Sequence, residues 1–382
     1  MRFPGRGALF GLAVGLSVSL TPTAADEPAP LLKPAAPPAG QVRVRIPVEP
    51  GFPKTVAFSA QVPHGKNKQK RDDVVVAFDA IPGPSYITVK KLESLGYDRP
   101  NGKEFVLPEL TIPAAQVAPK APQGHDVVVK LTNLKLTVIN NPASADDSIY
   151  LRDFSLSSAT LFGGAERAIQ PRLHFGDEFL EVTLPASKVK ASGTGDLPLP
   201  EVKAGADAKL AAAFAPTVVR SGRPVLAYAA VNGQSSFKLA GKQVIPVDAL
   251  VSSITNTPDG VIVTLGLARG CNVEMEGNAG GMAATGTDVK STLIPGKIKE
   301  LRLGVYTGKG LREQKDIVIK DLPVSVDKNE SQPYMLLGQK FIDAHFAEGV
   351  YAGDSTGWKL HGRVNPDLLD DIKNRGKQGP KK

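Results

Sequence analysis

The sequence predicts a mainly β protein built as two tandem copies of one module. Short Val, Ile, Thr and Leu runs are separated by Pro, Gly and Asn throughout a chain with 38 Gly and 32 Pro. It is 42% hydrophobic but only 6% aromatic, and long amphipathic helical patterns are scarce. The chain also says nearly the same thing twice. Gln170-Pro-Arg-Leu-His-Phe-Gly-Asp-Glu-Phe-Leu-Glu181 is answered by Gln332-Pro-Tyr-Met-Leu-Leu-Gly-Gln-Lys-Phe-Ile-Asp343. Their flanks match at a looser spacing, Arg152-Asp153-Phe154-Ser155-Leu156-Ser157 against Lys320-Asp321-Leu322-Pro323-Val324-Ser325.

Residues 1–25 read as a secretory signal. Arg2 and Arg6 form the charged start, Ala8 to Leu20 the apolar middle and Thr23-Ala24-Ala25 the cleavage site. This predicts an exported protein, periplasmic or extracellular, with no stable membrane insertion, because the apolar run is short for a span. Cys271 is the only cysteine, so no internal disulfide forms and the fold rests on its core. The formal charge of +8 falls to +6 without Arg2 and Arg6. Five of those charges sit in the last ten residues, 373–382, at Lys373, Arg375, Lys377, Lys381 and Lys382, so the rest is near neutral and no nucleic-acid partner is expected.

Residues 26–41 form a Pro/Ala-rich linker, extended and semi-rigid. The first module is expected over 42–195. It opens on the alternating Val42–Val48 run, then a hairpin of Thr55–Val62 and Val74–Phe78 with a charged tip. A short helix over Val89–Leu95 ends at Gly96. Strands follow, among them Asp126–Leu131 and Leu134–Val138. Residues 196–222, in the Ala-, Gly- and Lys-rich stretch, are assigned as linker, 223–365 as the second module and 366–382 as a basic tail. A hairpin is expected around Asn256-Thr-Pro-Asp-Gly260, from strands 249–255 and 261–267, and a helix over Lys297–Leu301.

Leu336-Leu337-Gly338 followed by Phe341-Ile342 resembles the late hydrophobic-hydrophobic-Gly segment of retropepsin-like aspartic proteases. In that family the Gly lets the strand pass tightly behind the catalytic loop. The upstream signals of the family are an apolar strand, Asp-Thr-Gly or Asp-Ser-Gly, a hydroxyl-rich bend ending in Ile, and a short helix closing in Leu-Gly. Val74-Val-Val-Ala-Phe-Asp79, Ser85-Tyr86-Ile87 and Lys91-Leu-Glu-Ser-Leu-Gly96 are similar to these in the first module. The resemblance covers about two thirds of the mature chain. It implies two retropepsin-like (acid protease) β-barrel modules forming a pseudo-dimer, with Asp79 as a catalytic carboxylate.

The chain departs from the pattern twice. Ala80-Ile81 stand where a hydroxyl residue and Gly belong, and Ile81 does not copy a Gly turn. In the second module the partner position falls on Ala284 of Ala284-Thr285-Gly286, or in another register on Ala240 of Ala240-Gly241. Asp248 is a third candidate, without a following Gly. Family members need two carboxylates that share a proton and activate one water. The expected function is therefore an aspartic-protease homologue with a degenerate pair, acting as a binding or structural protein toward a peptide or protein ligand. An active endopeptidase using Asp79 and a β-rich envelope or adhesion protein are the two other readings.

Other chemistry is thin. Asp79, Asp153 and Asp321 each have a plain reading as turn-fixing carboxylates. His64, His125, His174, His345 and His361 lack the spacing of zinc ligands, so no metal and no cofactor is expected. Cys271 reads as a small buried side chain. Gly353-Asp-Ser-Thr-Gly357 fits the form of a serine nucleophile elbow, but the short Gly-ended stretch after it cannot supply the helix, so Ser355 is expected in a β-turn.

Overall fold

The computed structural model describes residues 37–374 apart from 38, 49–56, 68, 80–83, 118–122, 141–148, 153–171, 175–178, 199–208, 222, 239–243, 253–254, 256, 277–280, 285–289 and 355–356. The chain is mainly β. Its first half runs β1 (Gln41–Pro47), β2 (Ala57–Pro63), β3 (Arg71–Asp79), β4 (Tyr86–Thr88), α1 (Val89–Ser94), β5 (Glu104–Val117), β6 (Gln123–Ile139), β7 (Ile149–Arg152), β8 (Arg172–His174), β9 (Phe179–Pro185) and β10 (Val189–Pro198). The second half opens with β11 (Ala211–Arg220), β12 (Arg223–Leu226), β13 (Ala229–Val231), β14 (Ser236–Lys238), β15 (Val244–Pro246), β16 (Ala249–Val251), β17 (Val261–Thr264) and α2 (Leu265–Gly270). It continues with β18 (Glu274–Met275), β19 (Gly281–Ala284), β20 (Lys290–Thr307), β21 (Glu313–Asp327), β22 (Met335–Leu337), α3 (Gln339–His345), β23 (Ala347–Asp354), β24 (Gly357–Val364) and β25 (Leu369–Asp371).

Period-two patterning explains the strands. In β2, Phe58, Ala60 and Val62 are buried while Ser59 and Gln61 are exposed. Each large apolar side chain so buried contributes about 1.5–3 kcal/mol. Strands β5, β2, β3, β7, β4 and β6 pair in that order, and β6 returns to β5, closing a six-stranded barrel. The matching path in the second half runs β16, β22, β17, β21, β20 and β13. Among the described residues no ladder joins β13 to β16. The β14–β15 ribbon lies between them in the chain, and Phe237 packs so close to Gly270 of α2 that a Cβ there would stand 2.1 Å from its ring.

The strands of the first barrel have counterparts in the second-half path. The long hairpin shows it best. Leu107, Leu110, Ile112 and Ala114 of β5 are buried, as are Ile298, Leu301, Leu303 and Val305 of β20. On the facing strands Leu131 and Leu134 answer Ile319 and Leu322. In both strands of each hairpin the buried residues step by three there instead of two. The break is made by Asn133 (φ 55°) and Asp321 (φ 52°), which hold the same register position. Such a residue turns the pleat over, and Asn and Asp tolerate that region better than other non-Gly residues.

A second sheet joins the halves in the order β1, β9, β8, β23, β24, β11. Its middle ladder sets Leu173 opposite Tyr351, Arg172 opposite Ala352 and His174 opposite Val350. On one side Leu180 faces Leu173 and Ile46 faces Leu180; on the other Leu360 faces Tyr351 and Ala215 faces Leu360. The order reads the same from either end, so the two halves meet across the β8–β23 ladder. Beyond β9, a 3₁₀ turn at Ala186–Lys188 leads into β10, which covers the edge of β6 with Val189 opposite Val129. Beyond β24, a 3₁₀ turn at Pro366–Leu368 leads into β25, which covers the edge of β21 with Leu369 opposite Ile317.

Several expectations are corrected by this arrangement. The two Gln-Pro stretches are not counterparts. Residues 172–174 form β8 at the junction of the halves, whereas 335–337 form β22 inside the second barrel path, where β7 is the counterpart. Asp321 answers Asn133, and Asp153 lies outside the described residues. Lys297–Leu301 is not a helix but the middle of β20, held by ladders to β21 and β13. Strands β16 and β17 do not pair as a hairpin; β22 separates them. Residues 211–220, assigned as linker, form β11, the counterpart of β1. Residues 366–374, assigned to the tail, are ordered on β21. Residues 1–25, expected as a signal, and most of the Pro/Ala segment lie outside the described residues, and no described helix is long and apolar enough to cross a membrane.

Candidate functional site

Each half contains a strand pair split by a third strand. In the first, β7 lies parallel to β3 and antiparallel to β4, and β4 lies parallel to β6. In the second, β22 lies parallel to β16 and antiparallel to β17, and β17 lies parallel to β21. The link from the first outer strand to the second must therefore loop around the end of the middle one.

Three ladders fix which residues correspond. Tyr86 faces Tyr150 and Thr137, and Ile262 faces Leu336 and Ser325. Phe78 faces Leu151, and Val251 faces Leu337. The helices agree, since Thr88 and Thr264 are both N-cap residues, and Gly96 (φ 76°) and Asn272 (φ 52°) follow α1 and α2 at the same offset. Asp79, the last residue of β3, is therefore matched by Ser252, the first after β16.

The second loop is drawn tightly onto β22. Ser252 N–H donates to the Leu337 carbonyl at 2.9 Å and Gly338 N–H to the Gly260 carbonyl at 2.7 Å. A Cβ on Gly338 would stand 2.5 Å from the Thr255 carbonyl oxygen, so only Gly passes there. Ser252, Thr255 and Thr257 are all buried, and the Ser252 and Thr257 hydroxyls have no hydrogen-bond partner among the described residues. In the first half the place of Gly338 is taken by Arg152, which faces Asp79 in the β3–β7 ladder. The acid stands in one half and the tight glycine in the other.

The positions expected to complete a pair lie elsewhere. Ala284 ends β19 opposite Lys290, away from the β16–β17 link, because its Thr-Gly belongs to the β19–β20 connection. Ala240 and the Ala80-Ile81 step lie outside the described residues. Asp248 precedes β16; its carbonyl accepts from Met335 N–H, and its carboxylate accepts from Arg220 at 2.7 Å. Ser252 was missed because the sequence search looked for an acid. The legible signal was Ala249-Leu-Val-Ser-Ser-Ile254, an apolar strand running into hydroxyls and Ile.

The remaining candidates are structural. Buried His174 stacks on Phe179 with centroids 4.1 Å apart, and His361 stacks on Phe214 at 5.6 Å. Burial holds His345 below the ordinary imidazole value. Among the described residues no group of three or more His, Cys, Asp or Glu is placed to hold a metal ion. Burial pushes the Cys271 thiol up to about 12, which leaves it protonated and unreactive. Asp354 pairs with Gly357, so the Gly-x-Ser-x-Gly match spans the hairpin between β23 and β24 rather than a strand-to-helix turn.

No protein-family model matches the chain, and no curated protein matches it. Among solved structures it is similar to edgp at 8% identity, with a TM-score of 0.35 over 86% of this chain and 95% of that one. It is also similar to Basic 7S globulin from soybean at 9% identity, with a TM-score of 0.36 over 87% of this chain and 99% of that one. Neither likeness is close enough to add to the argument.

Proposed function

We propose that the chain is an exported homologue of the retropepsin-like aspartic proteases, in which two modules form a pseudo-dimer and one carboxylate is missing. Its role is then to bind a peptide or protein ligand, or to act structurally, without cleaving peptide bonds. The observation that carries this reading is the match of Asp79 with Ser252. A carboxylate pair works because one acid holds the proton while the other activates water. A serine hydroxyl does not ionise in the working range of such a pair, so it cannot take either part. Two further features support the reading. Gly338 passes behind the loop as the family resemblance implies, and the repeated unit occurs once in each half. Export rests on the charged, apolar and small-residue segments of 1–25.

The test is digestion of an unfolded protein substrate from roughly pH 3 to 7, the range in which a proton-sharing acid pair operates. The unaltered chain and Asp79→Asn are both expected to leave it intact. Cleavage that Asp79→Asn abolishes would make the protein an active endopeptidase and overturn the proposal.

A further inference from the structure

We infer that Asn101 is a spontaneous modification site, converting to aspartate and isoaspartate in the folded protein, whereas the fold withholds the same reaction from Asn232. Each of these residues is followed by glycine, in Asn101-Gly102 and Asn232-Gly233. Asn is among the chemically labile side chains, and a following Gly has no Cβ to obstruct the attack described next.

The reaction needs no reactant but water. The glycine backbone nitrogen gives its proton to solvent base and attacks the Asn Cγ. An N–Cγ bond forms, the Cγ–Nδ2 bond breaks, and the side-chain nitrogen leaves as ammonia. Water then opens the resulting succinimide at either carbonyl. One opening gives aspartate; the other gives isoaspartate, in which the main chain runs through the former side chain. Nothing is oxidised or reduced.

The two pairs differ in how the fold holds them. Asn232 lies in the left-handed region (φ 49°) and Gly233 follows at 78°. Across this turn Val231 and Gln234 exchange both N–H to carbonyl bonds, each at 2.9 Å. The Asn232 carboxamide is engaged at both ends. Its Nδ2 donates to the carbonyls of Cys271 at 2.9 Å and Asn272 at 3.0 Å, and its Oδ1 accepts from Glu300 N–H at 3.1 Å. Closing the ring would require this side chain to leave the C-terminal end of α2 and β20 together. Asn101 is not held in this way. It lies with Gly102 in the connection from α1 to β5, and both are exposed. Among the described residues neither makes a hydrogen bond, and nothing stands within 4 Å of a Cβ placed on Gly102. The sheet takes hold only afterwards, where the Lys103 carbonyl accepts from Val138 N–H at 2.7 Å and Glu104 pairs with Thr137. The Gly102 nitrogen is thus open to solvent base and to the neighbouring Cγ.

The experiment follows both pairs in the full-length protein, folded and in concentrated urea, at mildly alkaline pH. Peptides spanning each pair are quantified over time by mass spectrometry, with isoaspartate detected by enzymatic carboxyl methylation. In the folded protein Asn101 should convert about tenfold or more faster than Asn232, because several hydrogen bonds must open together at Asn232. In urea the two rates should come together. Gly102→Ala, which meets no neighbour, should slow conversion at Asn101 severalfold while the protein stays folded. An Asn101 that stays intact in the folded protein, or that converts no faster than Asn232 there, overturns the inference.

Discussion

Asp79 and Ser252 hold the same place in two copies of one β unit, each a single residue beyond an apolar pair, Phe78–Leu151 and Val251–Leu337. The two places differ in both residues. The first has Asp79 beside Arg152, and the second has Ser252 beside the close-packed Gly338.

Gly338 is expected to be intolerant of even one methyl group. Its φ of −87° is open to any residue, so the penalty is contact alone. The added Cβ would meet the Thr255 carbonyl oxygen at 2.5 Å and the Gly260 carbonyl oxygen at 3.1 Å. Gly338→Ala should cost about 1–3 kcal/mol as overpacking, read from the denaturant midpoint. Gly102→Ala, where nothing lies within 4 Å of the new Cβ, should leave the midpoint nearly unchanged.

Asn133 and Asp321 should respond alike, because they invert the pleat of matching strands. Asn133→Gly relieves the left-handed backbone and is expected to be neutral or stabilising by up to about 1 kcal/mol. Asn133→Val places a β-branched residue there and should be clearly destabilising. Asp321→Gly and Asp321→Val should follow the same signs, since the Lys297–Asp321 pair is exposed and adds little. Thermal unfolding of the four variants checks this. Opposite signs at the two positions would count against the repeat.

The mainly β character was legible in the sequence, but the stretches it pairs as a repeat are not the ones the ladders match. Lys320-Asp321-Leu322-Pro323-Val324-Ser325 was expected to repeat Arg152-Asp153-Phe154-Ser155-Leu156-Ser157. Its partner is Thr132-Asn133-Leu134-Lys135-Leu136-Thr137 rather than the stretch at Arg152. What is preserved is a left-handed residue followed by alternating apolar positions, and Asn replaces Asp at no cost to that backbone. The Gln-Pro match drew attention to letters, whereas β-sheet register follows the buried face. The strand end at Asp79 was readable because Val74–Phe78 is an unbroken apolar run. Ser252 was not, because its strand is three residues long and its chemistry differs from that of its counterpart.

Acid should weaken the fold through identifiable carboxylates. Hydrogen bonding from Lys70, helped by His64, holds Asp72 below the ordinary value against the opposing pull of burial. Burial pulls Glu109 upward, but hydrogen bonds from Lys130 and Arg71 hold it below the ordinary value. A carboxyl lowered by folding contributes above its unfolded pKa, and the contribution is lost as pH falls through the folded value. Stability should therefore decline below about pH 4. Asp72→Asn should cost about 0.5–1 kcal/mol at pH 7, and the difference from the unaltered chain should vanish in acid. A difference that stays constant with pH would assign Asp72 a packing role instead.

The exported chain should begin near Asp26, after removal of the first 25 residues. Mass spectrometry of protein recovered from outside the cytoplasm checks this, and an intact Met1 on that protein would count against a cleaved signal.

The C-terminal segment should divide sharply into a part that the fold needs and a part that it does not. Residues 369–371 pair with 315–317 of β21, covering an edge that β10 covers in the first half. An uncovered edge is a template for pairing with another chain. The same segment brings Asp370, which accepts from Arg302 at 3.0 Å and from Asn374 at 2.8 Å. Arg302 is nearly buried, with Glu300 at 2.7 Å and Asp316 at 3.7 Å as its other carboxylates. Asp370→Asn alone should cost about 0.5–1 kcal/mol, since that carboxylate is partly open to solvent. Deleting 366–382 should cost more and should also promote association, because it removes the edge cover together with the ion pair. Deleting only 375–382, with its basic residues, should change neither. Unfolding midpoints and light scattering of the three variants decide the matter. Equal behaviour of the two deletions would show that β25 is not needed to cover β21.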